Sequence, residues 1–175
     1  MKKYIIILIL ISLSLTGCGI NNINSSILPD DLEFIQTIEQ LDTPEKIGQY
    51  MENNFEYDYA YLENLLKSIT NRVYYTAYKL WETKKGTCQN FAFFGIYIAH
   101  YHGYEVYSCN LYFYEEISSF SHAIAIYKEN DKYNYSCNQR YYQINADDID
   151  EIVEQYVGVK YYRLFRYNGD FTEVE

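Results

Sequence analysis

Residues 84–112 read KKGTCQNFAFFGIYIAHYHGYEVYSCNLY, and the periodicity of this stretch changes partway along. Over 88–101, Phe91, Ala92, Phe93, Phe94, Ile96, Ile98 and Ala99 leave almost no polar face. A helix that is apolar all round is a buried one. Gly103 is placed to end it, because a glycine just past the last turn adopts the left-handed cap without a Cβ penalty. Beyond that point the period falls to two, with Tyr107, Cys109, Leu111 and Phe113 on one face of a strand. Ahead of the helix, Gly86 permits an unusual backbone turn, so Cys88 is expected at the front of an interior helix.

Working outward, 31–41 carries helical signals. Thr43 followed by Pro44 reads as an N-cap and first-turn proline opening a second helix to about residue 53. A third helix is predicted over 71–82, where Val73, Tyr74, Ala77, Tyr78 and Trp81 recur at three- and four-residue steps. Downstream, 121–127 and 132–138 are predicted strands joined by the turn residues Asn130 and Asp131. Asn145 is the expected cap of an acidic helix over 146–156, and 159–167 is the last predicted strand. Helices first and an antiparallel sheet afterwards make an α+β arrangement.

The chain opens with Lys2 and Lys3, continues apolar to Leu15 and reaches Leu15-Thr16-Gly17-Cys18, the order of a signal peptide and its small-residue cleavage site. The apolar run is shorter than the roughly 20 residues a membrane-spanning helix needs. Its end resembles the bacterial lipobox, which implies removal of 1–17, a lipid on Cys18 and an extracytoplasmic protein anchored to a cell or outer membrane. Residues 18–30, rich in Asn and Ser, then form a tether, and 31–175 the folded domain. Without 1–17 the chain holds 12 basic against 24 acidic side chains. Such a surface repels phosphates, so nucleic acid is excluded as a partner and the lipid must hold the protein at the membrane. The 23 tyrosines suit half-buried strand positions.

If Cys18 is acylated, Cys88, Cys109 and Cys137 remain, an odd number that cannot all pair. In a simple meander, Cys109 and Cys137 lie on strands flanking the one that begins near His122, roughly 9.6 Å apart. That exceeds disulfide reach, and both are expected as free thiols. A thiol at a helix N-terminus is favoured as the thiolate nucleophile, and such a nucleophile needs a neighbouring base. His122, in SHAIAIY, is that candidate. His100 and His102 stand at the far end of the buried helix with no further ligand cluster beside them, so no metal site is expected, nor any other cofactor.

These two stretches, KKGTCQNFAFFGIYIAHYHGYEVYSCNLY and SHAIAIYKENDKYNYSCNQ, resemble the transglutaminase-like superfamily of papain-related folds over roughly 47–139. The resemblance implies a Cys at the start of the central helix that attacks a carboxamide or peptide carbonyl. It also implies a His at the start of a strand as base, and an Asp or Asn on the next strand to orient the imidazole. Cys88 and His122 fit the first two positions.

At the third, the family's Asp position falls on Cys137, with Asn138 next to it. A two-residue turn at Asn130-Asp131 sets Gln139 opposite His122 and leaves Cys137 diagonal; one extra loop residue or a bulge sets Asn138 opposite instead. Asn138 is the chosen third residue, because an amide oxygen accepts an imidazole N–H better than a thiol does. An oxyanion hole is expected from the Cys88 N–H and one nearby donor, with Tyr57 and Trp81 in the preceding region and neither assigned. The implied substrate is a peptide or protein amide, cleaved or transferred through an acyl-thioester. The competing reading is an inactive peptide- or glycan-binding lipoprotein of the same fold, in which binding survives Cys88→Ser and turnover is absent.

Overall fold

The computed structural model describes residues 30–67, 76–113 and 121–174. The predicted signal peptide, Cys18 and nearly all of the tether lie outside the described residues. In chain order the elements are α1 (Leu32–Gln40), α2 (Pro44–Asn54), β1 (Glu56–Tyr57), α3 (Tyr59–Lys67), α4 (Ala77–Thr83), β2 (Lys85–Gly86), α5 (Cys88–Tyr101), β3 (Glu105–Tyr112), β4 (Ser121–Glu129), β5 (Lys132–Cys137), β6 (Arg140–Ala146), α6 (Ile149–Val153), β7 (Tyr161–Tyr167) and β8 (Phe171–Val174). Among them no helix is long and apolar enough to cross a membrane.

Strands β6-β5-β4-β3-β7-β8 form one antiparallel sheet in that order. The period-two alternation divides its side chains between two cores. Val106, Ala123, Ala125, Tyr127 and Tyr167 face the helical layer around α5. Tyr107, Cys109, Leu111, Ile124, Ile126 and Tyr135 pack on the other face against Ile152 of α6. The α+β expectation holds, and the buried helix begins at Cys88 as its composition requires.

Why α5 lies so close to the sheet is visible at Gly95, where an added Cβ would stand 2.2 Å from Tyr127 Oη. Tyr127 is fully buried and its hydroxyl donates to Ser136 Oγ at 3.0 Å, so the polar end that the approach encloses is satisfied. Gly86 differs from expectation in cause. It does not adopt a left-handed φ; instead a Cβ there would meet Leu80 Cδ1 at 2.7 Å and Asn90 Cβ at 2.9 Å. The left-handed residue is Lys84, φ 57°, at the C-cap of α4.

The N-cap at Thr43 and the glycine after α5 stand where the sequence puts them, and Asp31, the first residue of the predicted 31–41 helix, is the N-cap of α1. The helix predicted over 71–82 is corrected. Thr76 is extended, and its hydroxyl accepts from Lys79 N–H, so the helix starts at Ala77; the predicted part 71–75 lies outside the described residues. The acidic helix is also shorter than expected, being capped by Asp148 and not by Asn145. Asn145 instead belongs to β6, with φ 53°, where the β5–β6 register shifts. There Asn134 Oδ1 accepts from the Ile144 and Asn145 N–H groups at 3.0 and 2.8 Å, replacing ladder bonds.

Candidate active site

The short parallel bridge between β1 and β2 holds Tyr57 beside the front of α5 through Glu56 N–H to Lys84 O and Asp58 N–H to Gly86 O, each 2.8 Å. Thr87 caps the helix locally, and Asn90 Oδ1 accepts from the Thr87 N–H at 2.9 Å and hydroxyl at 3.0 Å. Cys88 is therefore the first helical residue, partly exposed, on a backbone that its own turn has fixed.

Helix α5 covers the sheet face that carries Ala123, whereas alternation puts His122 with Ile124 and Ile126 on the opposite face. Both groups stand at an end, Cys88 opening α5 and His122 second in β4. Strand β5 stops at Cys137, opposite Ile124, so the ladder does not extend to Ala123 or His122 on that side. The Ala123 N–H, in the peptide that links Ala123 to His122, acts on the Cys88 thiol and pulls its pKa down.

Burial pushes the Cys88 thiol above its ordinary value, against the opposing pull of the Ala123 and Gln89 N–H groups and the Tyr57 hydroxyl. Burial likewise lowers His122. Both shifts favour the neutral forms, thiol and imidazole. Tyr57 is pushed up to about 12, first by burial and then by Cys88, and it stays a donor at neutral pH. The Cys88 N–H acts on the same phenol oxygen, which keeps Tyr57 beside the front of α5.

The third position departs from the choice of Asn138. Hairpin β4–β5 has the two-residue turn Asn130-Asp131, both with left-handed φ, and runs without a bulge from Glu129 opposite Lys132 to Ile124 opposite Cys137. His122 Nε2 then lies 3.1 Å from Cys137 Sγ. Asn138, φ 52°, occupies the tight turn into β6, and its buried Oδ1 has no hydrogen-bond partner, so it does not accept from His122. Gln139, the other residue of that turn, donates from Nε2 to Phe55 O at 3.4 Å.

Cys88, Cys109 and Cys137 are all free, and for Cys109 and Cys137 the flanking-strand argument expects it; Cys109 is enclosed in the far core, where burial pushes its thiol up to about 12. His102 Nε2 lies 2.8 Å from Ile38 O, and His100 packs edge-on against Tyr167. Among the described residues no group of three or more His, Cys, Asp or Glu side chains is placed to hold a metal. Trp81 has its Nε1 buried without a hydrogen-bond partner and stacks on Tyr78.

A cavity of about 350 Å³ opens between α5 and the β3-β7-β8 side of the sheet, bounded by Gln89, Phe93, Ser108, Asn110, Phe165 and Phe171. Its wall includes Gln89, the residue after Cys88, and Asn110, which pairs with Ala123; Cys88 and His122 do not line it. No charged residue lines it. Sequence reasoning did not find this cleft, because its walls come from strands and a helix far apart in the chain.

Comparison with known proteins adds the following. A family model described as a transglutaminase-like domain matches residues 26–162. No curated protein matches the chain. Among solved structures, a candidate cysteine protease from Cytophaga hutchinsonii is similar at 15% identity and a TM-score of 0.40, covering 83% of this chain. The chain spans about half of that protein's length, 54%.

Proposed function

The chain belongs to the transglutaminase-like domain family, and from that premise we propose that it is a cysteine acyl-transfer enzyme acting on peptide or protein amides. What supports this is the Cys88 sulfur at the front of an interior helix, against the N–H of the residue that follows His122. In the proposed reaction the thiol proton passes to a nitrogen of His122 as sulfur attacks the carbonyl carbon. Charge develops on the carbonyl oxygen, which the Cys88 N–H and the Tyr57 hydroxyl are suited to receive. The imidazolium returns its proton to the leaving amine nitrogen, the C–N bond breaks, and an acyl-thioester remains. Water or an amine, deprotonated by His122, then attacks the thioester carbonyl, and the Cys88 thiolate leaves and is reprotonated. The uncharged cleft beside Gln89 suits an apolar side chain on the acyl portion.

The reaction is testable with p-nitrophenyl acetate as acyl donor. We expect a burst of p-nitrophenolate and an acetyl group on the Cys88 peptide by mass spectrometry. Cys88→Ser should lose the burst, and Tyr57→Phe should slow acylation about 100-fold, in line with removal of one oxyanion donor. No burst, or acetylation confined to Cys109 and Cys137, would refute the reading. Cys137 in the position of an orienting acid favours one alternative, an inactive peptide-binding module of the same fold, and that is the reading the refuting result would leave.

The enzyme is further proposed to be a lipoprotein, on the strength of Lys2, Lys3, the apolar run and Leu15-Thr16-Gly17-Cys18. Metabolic labelling with tritiated palmitate in a bacterial host should mark the wild-type protein and not Cys18→Ala. Label retained by that variant would remove the anchor from the proposal.

A further inference from the structure

We infer that Lys84 is a positioning residue of the site: its ammonium, enclosed by the rings of Trp81, Tyr50 and Phe55, fixes the β1–β2 bridge that holds Tyr57 beside the front of α5. This rests on the proposed roles of Cys88 as nucleophile and Tyr57 as donor, and adds a residue that acts through Tyr57.

What singles Lys84 out is its backbone. It closes α4 with φ 57° and ψ 12°, a conformation that glycine adopts without a Cβ penalty, and its N–H donates to Leu80 O at 2.8 Å. A lysine there carries strain that a glycine would not. Its side chain in return has a definite place. Nζ stands 4.2 Å from the ring centre of Trp81, 5.7 Å from that of Phe55 and 5.9 Å from that of Tyr50, and it donates to Tyr50 Oη at 3.4 Å. All three separations fall within the roughly 6 Å of a cation–π contact, for which Trp is the strongest partner. Burial pulls the Lys84 ammonium below its ordinary value, opposed by Glu33, so part of its hydration has been exchanged for these rings.

The rings belong to α4, to α2 and to Phe55, the residue between α2 and β1, so one ammonium joins all three. From the same lysine the chain runs straight into β2. Lys84 O accepts the Glu56 N–H and Gly86 O accepts the Asp58 N–H, so these two hydrogen bonds bracket Tyr57. A pair of two-residue strands has little stability of its own, and its register depends on what fixes its ends. At one end Phe55 and Lys84 are in side-chain contact immediately beside the first of the two hydrogen bonds. Held in this way, the Tyr57 ring packs on Phe91 with centroids 6.1 Å apart, and Phe91 stands three residues after Cys88 on the same helix face. A slip of β1 along the bridge would carry the phenol away from the front of α5 and leave Cys88 and His122 on their own elements. The expected loss is therefore confined to what Tyr57 contributes.

Amide hydrogen exchange followed by NMR reads the bridge in the folded protein without turnover. The Glu56 and Asp58 N–H groups are expected to exchange about 10-fold faster in Lys84→Gly and in Lys84→Met, relative to Ile126 in β4, which is paired on both sides. That ratio corresponds to one partly desolvated cation–π contact. Lys84→Arg, which keeps the charge, should hold the wild-type rates. Lys84→Gly also removes the strained Cβ, so its loss cannot be ascribed to a worse backbone. Acetylation of Cys88 by p-nitrophenyl acetate should slow about 10-fold in the glycine and methionine variants. In a Tyr57→Phe background neither substitution should slow it further, whereas a residue that only stabilises the fold would slow both backgrounds alike. Unchanged exchange at Glu56 and Asp58 in both variants overturns the inference, as does equal slowing with and without the Tyr57 hydroxyl. If wild-type Cys88 is not acetylated, the enzyme reading fails, and the exchange rates still decide whether Lys84 holds the bridge.

Discussion

Replacing His122 with alanine is expected to slow acetylation of Cys88 by about 10²–10⁴-fold near neutral pH, the span typical of losing a positioned general base. The pH profile carries the reasoning behind that figure. The folded value of His122 is lowered below 6.5, so in wild type the base becomes available as pH rises through a point below 6.5, and the rate then levels. Cys88 is raised above 9.0, so at neutral pH very little thiolate exists without help from a base. Without the imidazole, the variant should therefore lack the plateau and gain rate only as pH climbs through the elevated thiol value. Site-resolved mass spectrometry of the Cys88 peptide separates this from alkaline modification of the other thiols. Equal rates for wild type and His122→Ala at neutral pH would dismiss the dyad.

Phe94→Ala should cost about 3–5 kcal/mol of unfolding free energy, measured by urea denaturation. Phe94 is fully buried, lies 4.9 Å edge-on to Phe55 and stacks at 6.2 Å on Tyr50, joining α5 to α2 and to the segment that leads into Tyr57. Deleting the ring leaves a void among side chains fixed on three elements, and such a site relaxes poorly. By contrast, Arg140→Ala breaks an exposed ion pair with Glu52 at 2.8 Å and should leave the urea midpoint almost unchanged. A loss below about 1 kcal/mol for Phe94→Ala would mean that α5 is not the centre of the core.

Much of the architecture was legible because it rests on local signals. Composition alone makes α5 an interior helix, and the apolar–polar alternation of β3 with the Asn130-Asp131 turn of β4–β5 follows from two-residue periodicity and turn chemistry. Strand β6 was not legible. Its residues RYYQINA show no clean alternation, and part of its pairing is made by the Asn134 side chain, a contact that only the assembled sheet supplies. Tyr57 illustrates the same limit: nothing in its neighbourhood in the chain marks it as a donor to Cys88 until the β1–β2 bridge brings it there.

What the sequence by itself determined is the pair of candidate groups, Cys88 at the front of the buried helix and His122 at the front of a strand, since each is set by the element that carries it. What only the tertiary structure decided is the company these groups keep. Cys137 rather than Asn138 meets the imidazole because a single residue of register exchanges one sheet face for the other, and the sequence was compatible with both registers. The Phe-lined cleft was likewise decided there, because it arises where segments distant in the chain pack together.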